Sequence, residues 1–357
     1  MKKLFCTSLA AIAFMFLWSC SKRPNLCVES FDVDYSNKSG SEIKGELLKP
    51  EVLGAMDMFC MDSLIMITTT DPKAQLVVLN NALDTLGMFC QKGRAKNEFT
   101  DVSATSQQVY KRNGHIIIPL VDNYVQIKEV DVTESLAQGK TIVGETESCE
   151  ASYEVMTVFL DENINNRFEM LLDKYGAEDV KRVPCVYSLK YPGRKTKEFK
   201  LFRRLVDVDD ESYVLVPFGS MLIKHPTKNI VASMFINMDY VIFFNLEEEK
   251  TFAVHKTGSA TFDDPYVYDS EYTFQGGYST SDYLMLLYYH GKDAMKEPDK
   301  MARKAELVVF DWEGNFINNI KLDRRICSIG YNDDEHKLIA LTFDEELYEY
   351  DLSKVLP

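Results

Sequence analysis

The segment KLIALTFDEELYEYD, Lys337 to Asp351, decides the fold. It holds an apolar run, an acidic break and a second apolar run that ends on Asp351. Short runs rich in β-branched and aromatic residues, bounded by turn formers, read as strands. The segment is therefore a hairpin, and its pattern returns upstream. Val77-Val78-Leu79-Asn80, Ile242-Phe243-Phe244-Asn245, Val308-Val309-Phe310-Asp311 and VQIKEVD (Val125 to Asp131) all end a strand on Asn or Asp. Val186 to Leu189 (VYSL) is a weaker sixth copy. In four copies the preceding strand stands at one offset. Ile67, Ile118, Ala232 and Leu338 each lie 13 residues before Asn80, Asp131, Asn245 and Asp351.

Equal offsets mark a repeat, not unrelated hairpins. Asn80 and Asp351 are 271 residues apart over five steps, about 54 per repeat. That length holds four strands, a to d. In the first repeat Met58 to Met61 is a, Leu64 to Thr70 is b, Leu76 to Leu79 is c and Thr85 to Phe89 is d. Six such units predict an all-β, six-bladed β-propeller over residues 41–357, a radial arrangement that leaves only short protected edges. Two repeats are stretched between b and c. One insert, Asp161 to Arg182, contains NRFEMLLDKY (Asn166 to Tyr175), expected to be a short helix. The other, Gly291 to Lys304, is polar.

The last repeat supplies a, b and c, and only Leu352 to Pro357 follow. That is too short for a turn and an outer strand, and a bare edge on c would invite aggregation. Ile43 to Leu48 has strand character and is expected to pair with the last blade, joining the chain ends. Residues 20–40 then read as a tether.

The start of the chain explains a tether. Lys2 and Lys3 precede an uncharged apolar run, Leu4 to Trp18. The run is short for a bilayer span, which needs about 20 residues, and has signal-peptide proportions. It ends Leu17-Trp18-Ser19-Cys20, which resembles a bacterial lipobox. Residues 1–19 are expected to be removed and Cys20 lipidated. The remainder carries 38 basic and 55 acidic side chains, a net charge of −17. That excess argues against nucleic acid and against adhesion of the folded surface to anionic lipid. The six later cysteines include no CxxC pair, and several lie in apolar strand-like runs and read as buried thiols. Cys60 on strand a and Cys90 after strand d of one blade stand too far apart for a disulfide.

The Cys20 motif, LGMFCQKGRAKNEF (Leu86 to Phe99) and Tyr283 to Asp323 with Val308-Val309-Phe310-Asp311-Trp312-Glu313-Gly314-Asn315 resemble the TolB-like six-bladed propeller lipoproteins over most of the mature chain. Where that family usually carries a Gly-Pro-Gly-Glu-like stretch, this chain has Ala95-Lys96-Asn97-Glu98. The resemblance implies the propeller and an envelope location.

Catalytic signatures are missing from the sequence. There is no Gly-x-Ser-x-Gly, His-Glu-x-x-His, P-loop or EF-hand pattern, and the five histidines are scattered. No metal, catalytic residue or cofactor is expected. The acidic stretches Asp207 to Glu211 and Asp263 to Glu271 read as solvated loops ahead of Ca²⁺ sites. Asp311 to Asn315 reads as a turn.

Successive strands of a blade are antiparallel, so b–c and d–a connections share one face. Both long inserts and the longest d–a links, Cys90 to Ser103 and Lys256 to Thr273, fall there. Long loops on a rigid scaffold are where binding usually resides. Arg94, Glu98, Asp264, Tyr266, Tyr268 and His290 are the candidate ligand-binding residues. The leading expectation is a non-catalytic binding or scaffolding module, lipid-anchored at the periplasmic side of the outer membrane, that recognises an envelope protein or glycan. The alternatives are an envelope hydrolase or lyase with a central-pocket active site, and a structural subunit of a larger complex.

Overall fold

The computed structural model describes residues 26–35, 42–49, 51–103, 108–123, 125–148, 156–172, 185–202, 219–263, 271–292, 303–333 and 335–357. An N-terminal strap comes first, with strands β1 (Glu29–Val33), β2 (Glu42–Ile43) and β3 (Glu46–Lys49). Blade I follows as β4 (Ala55–Met61), β5 (Leu64–Thr69), β6 (Leu76–Asn80) and β7 (Thr85–Phe89). Blade II has β8 (Val102–Ser103) and β9 (Tyr110–Arg112) as its inner edge, then β10 (His115–Asp122), β11 (Gln126–Asp131), helix α1 (Val132–Gln138) and β12 (Val143–Ser148). Blade III is β13 (Met156–Leu160), β14 (Asn163–Leu172), β15 (Cys185–Lys190) and β16 (Lys197–Lys200). Blade IV is β17 (Ser220–Lys224), β18 (Ile230–Phe235), β19 (Tyr240–Asn245) and β20 (Lys250–Lys256). Blade V is β21 (Glu271–Ser279), β22 (Tyr283–Lys292), β23 (Glu306–Asp311) and β24 (Phe316–Leu322). Blade VI is β25 (Ile326–Asn332), β26 (Lys337–Thr342) and β27 (Leu347–Asp351), completed by β3. Six sheets surround one axis, with strand a innermost in each.

The middle strands are apolar on both faces because both faces are buried. In β19, Ile242 and Phe244 pack toward blade III, with Phe168 and Tyr187. Val241 and Phe243 between them pack toward blade V, with Phe310. Strand β23 divides likewise, Val308 and Phe310 toward blade IV and Leu307 and Val309 toward blade VI. Such strands read as continuous apolar runs.

Each seam between blades also carries a polar stitch. Gln75 accepts from the Val102 amide (3.0 Å) across I–II. The Gln108 carboxamide exchanges two 2.7 Å bonds with the Phe159 backbone across II–III. Tyr187 meets the Ser233 hydroxyl (2.7 Å) across III–IV, and Thr273 donates to the Phe235 carbonyl (2.8 Å) across IV–V. The Tyr289 hydroxyl donates to the Ile326 carbonyl (2.5 Å) and accepts its amide (2.7 Å) across V–VI. Ser328 accepts from the Met58 amide (3.1 Å) across VI–I.

The closure expected from the sequence is made by Glu46–Lys49, while Ile43, expected in the same strand, pairs with blade V instead. Strand β3 pairs antiparallel with β27, Leu47 opposite Tyr348. The strap does more than close the ring. Strand β1, inside the stretch read as a tether, runs parallel to β20 as a fifth strand of blade IV, and β2 runs parallel to β24 on blade V. Leu26 bridges Phe202 just beyond β16. The strap therefore laces the outer rims of blades III, IV, V and VI in turn.

Two expectations are corrected. Asn166 to Leu172, the described part of the stretch expected to be a helix, belongs to β14, paired with β13 on one edge and β15 on the other. Phe168, Leu171, Leu172 and Tyr175 stand at helical spacing, but two ladders of backbone bonds outweigh that pattern. Asp161 and Glu162 form the a–b turn, and residues 173–184 fall outside the described residues. Nor does all elaboration lie on one face, since α1 sits in the c–d link of blade II. Asp131 caps it by accepting from the Glu134 amide (2.8 Å), and Gly139 ends it at φ 65°. Cys60 and Cys90 are both free thiols, as their separation required.

Candidate functional site

The innermost strands of blades I to V converge on a cavity of about 120 Å³ in the central channel. Met61, Glu162, His225 and Pro226 lie at its mouth. They stand at the ends of a strands or in a–b turns, so the mouth opens on the face opposite the b–c and d–a loops. Met58, Phe59, Val158, Phe159 and Leu222 also line it, and polar and apolar atoms share its surface about equally.

Close packing narrows the channel. Tyr278 of blade V donates to the Cys60 carbonyl of blade I (3.2 Å), bypassing blade VI. Gly330 of blade VI lies against the Cys60 side chain, where a Cβ would collide with the sulfur. Burial pushes the Cys60 thiol up to about 12. It stays protonated at neutral pH and is a poor nucleophile.

His225 is held neutral by its partners. Its Nδ1 accepts from the Thr227 (3.1 Å) and Lys228 (3.0 Å) amides, so Nε2 carries the proton and donates to the Ser281 carbonyl (3.2 Å). Burial lowers its pKa, and Lys228 lowers it further. The ring lies against Trp312, whose Nε1 donates to the Thr280 carbonyl (2.9 Å). Both nitrogens are occupied, which leaves no lone pair for general base work.

Beside the mouth, Arg112 grips the buried Glu129 carboxylate through both terminal nitrogens (2.9 and 2.5 Å), and the Tyr110 hydroxyl donates to the same carboxylate. This charge is fully engaged. Lys224 differs. It lines the cavity, and its ammonium donates to the His225 carbonyl (2.9 Å). Among the described residues it has no ion-pair partner. Burial lowers its pKa, opposed by Asp161, Glu162 and Glu247. Asp161 and Glu162 both hold positive φ, 53° and 55°. Left-handed backbone costs a non-glycine residue about 1–2 kcal/mol, and here it keeps Glu162 at the mouth.

The candidates drawn from the sequence do not assemble into this site. Arg94 is exposed and Glu98 half-buried in the link between blades I and II. The Glu98 carboxylate accepts from the Ala95 amide (2.9 Å), closing its own loop. Lys128 donates to the Glu98 carbonyl (2.7 Å), pairs with Asp122 (2.7 Å) and lies over the Phe99 ring. Asp122 in turn accepts from the Thr100 amide (2.7 Å). The link is a pinned surface feature. His290 belongs to β22 of blade V. Asp264, Tyr266, Tyr268, Cys20 and the acidic stretch Asp207 to Glu211 lie outside the described residues. Among the described residues no group of His, Cys, Asp and Glu could hold a metal ion. Sequence reasoning missed Lys224 and His225, whose one signal is a pair of basic-type side chains at the end of a strand, before Pro226.

Six sheets of four or five strands around a central channel define a six-bladed β-propeller. No protein-family model matches the chain, and no curated protein matches it. The fold recurs among solved structures, two of which are similar over most of the chain. A DUF4221 family member from Bacteroides vulgatus ATCC 8482 aligns over 87% of this chain and 98% of its own, at TM-score 0.53 and 9% identity. A protein described as exported, from Bacteroides fragilis NCTC 9343, aligns over 90% and 98%, at TM-score 0.50 and 10% identity.

Proposed function

We propose that the protein is a non-catalytic binding module of the bacterial cell envelope, held by lipid on Cys20 at the periplasmic side of the outer membrane. It takes part of an envelope protein or glycan into the central cavity. The observation that carries this reading is the state of the cavity's reactive groups. His225 is bonded through both ring nitrogens and the Cys60 thiol is suppressed, while the space itself is open. The exported description of one similar structure and the pattern at Cys20 support the location.

The test is a pull-down from detergent-solubilised envelope with the domain starting at Leu26 as bait. Capture should be lost with Val109→Trp, which fills the cavity, and kept with Arg94→Ala. The reverse pattern would move binding to the loop face, and equal capture by all three would end the cavity reading. For the anchor, Cys20→Ala should abolish labelling by a clickable fatty acid.

A further inference from the structure

We infer that the ring opens at the seam between blades II and III, and that Gln108 is the latch that holds this seam shut. The gate goes beyond the binding reading above, because parting the seam needs no ligand. Among the described residues the apolar cluster across II–III has six members, Tyr110, Ile117, Val121, Ile127, Phe159 and Ile164. Sixteen buried side chains fill III–IV, fifteen fill IV–V, sixteen fill V–VI and fourteen fill I–II. Seven fill VI–I, backed by as many half-buried ones. Apolar burial is the main force that holds packed faces together, so II–III is held least. Blade III turns a polar row toward that seam. Thr157 stands opposite Glu169, and Glu169 opposite Ser188, all three buried. Their strand neighbours Val158, Phe168 and Tyr187 pack toward blade IV, so the row faces blade II. The Thr157 hydroxyl and the Arg167 Nε have no hydrogen-bond partner, and an unpaired buried polar group opposes closure.

The other seams carry clamps that II–III lacks among the described residues. The strap runs across blades III to VI and continues from β3 into β4 of blade I. Helix α1 of blade II lies against Gly87 of blade I through Leu136, and Thr141 beyond it accepts from the Cys90 amide (2.8 Å). At II–III each buried charge keeps its partners on its own side. Glu129 holds Arg112 and Tyr110 within blade II, and Glu169 holds Lys190 and Ser188 within blade III. The blades separate without stranding either charge, which would be the costly step. Three contacts near the rim and mouth are long or exposed: Asn165 to Glu145 (3.1 Å), Arg112 to the Glu162 carbonyl (3.4 Å) and Arg167 to Glu147 (3.8 Å). Such contacts hold little. The strong tie is the Gln108 carboxamide, with its two 2.7 Å bonds to the Phe159 backbone. Gln108, Val109 and Tyr110 of blade II line the central cavity together with Val158, Phe159 and Glu162 of blade III. Parting the seam therefore widens the cavity directly.

The experiment is thiol labelling of the full chain in detergent, read site by site by peptide mass spectrometry. Ser188→Cys places a thiol in the II–III seam, and Ser233→Cys places one in III–IV, where Ser233 is equally buried. Native Cys90 is buried in I–II and reports that seam in the same molecule. Local opening sets the labelling rate of a buried thiol. Residue 188 should label at least about tenfold faster than residue 233 and Cys90. Thr157→Cys, a second reporter in the same seam, should label as fast as residue 188, so the reading does not hang on one variant. Gln108→Leu should speed labelling at residue 188 about tenfold, the scale of the two lost bonds, and leave residue 233 and Cys90 unchanged. Thr157→Val removes the orphan hydroxyl and should slow residue 188. Slow labelling of Cys90 in each variant shows that it is folded. Equal rates at residues 188 and 233 and at Cys90 would mean that the ring opens only by unfolding as a whole, and would overturn the gate. Faster labelling at every site with Gln108→Leu, or at none, would overturn the latch.

Discussion

Asn80, Asp131, Asn245, Asp311 and Asp351 perform one task in five blades. Each ends strand c, and its side-chain oxygen accepts a backbone amide from two to four residues ahead, at 2.8 to 3.2 Å. That turn chemistry is why the residue type repeats although little else in the sequence does. In Asp311 one oxygen takes the Glu313 (2.9 Å) and Asn315 (2.8 Å) amides, so Asp311→Ala should cost about 1 kcal/mol in urea unfolding. Asp311→Asn should cost less than half of that. His225 gives a pH-dependent case. Its folded pKa lies below the ordinary 6.5, so the unfolded chain binds the proton more readily as pH falls. Its contribution to stability is complete above about pH 6.5 and is lost on acidification through the folded value. His225→Gln should therefore be less stable than the parent by about 1–3 kcal/mol at pH 7.5. The gap should shrink at pH 5, measured by urea unfolding of both proteins at each pH. A gap that widens on acidification would show that the ring is charged in the fold.

At the scale of elements, strands were legible where both faces are buried, because apolar runs such as Tyr240 to Phe244 have no helical alternative of useful length. The sequence misleads where the two periods overlap. Phe168, Leu171 and Leu172 fit a helix by spacing, and only the ladders to β13 and β15 decide for a strand. Helix α1 was hidden for another reason. Its cap is Asp131, the same residue that marks the end of strand c, so one signal served two readings. The acidic residue three positions later, Glu134, and Gly139 beyond are the cap pattern that separates them. Asp131→Ala should cost about 1 kcal/mol through loss of the cap. Asp131→Asn should recover most of that cost, because an amide oxygen also caps. If the two variants lose equal stability in urea, the contact of Asp131 with His115 (2.7 Å) carries the effect instead. The cavity was illegible for a third reason. It is built from the ends of five strands more than 200 residues apart in sequence, from Met58 to Ser279, and no local pattern records such a meeting.

At the scale of the molecule, the ring is held by two devices of different kind. The six polar stitches act locally, five of them on backbone groups and one between the Tyr187 and Ser233 hydroxyls. The strap acts across blades, because one continuous segment supplies β1 to blade IV, β2 to blade V and β3 to blade VI. Tyr35 seats it between β1 and β2, with its ring against Tyr288, Phe310 and Phe316 and its carbonyl accepting from Asn319 (3.0 Å). A ring closed only at blade VI would lose that blade's outer strand if the segment came away. A laced ring should loosen over half its circumference. Hydrogen exchange separates the two cases. In the domain starting at Leu26, amides of Glu46–Lys49 and Leu347–Asp351 should exchange slowly. With residues 26–49 deleted, protection should fall at β27 and also at β20 and β24, while β5 and β6 of blade I keep theirs. Loss confined to β27 would mean that β1 and β2 merely rest on blades IV and V. Loss in every blade at once would mean that the propeller unfolds as one unit whose closure depends on the strap, since a ring without its lock has no intermediate state in which three blades remain docked.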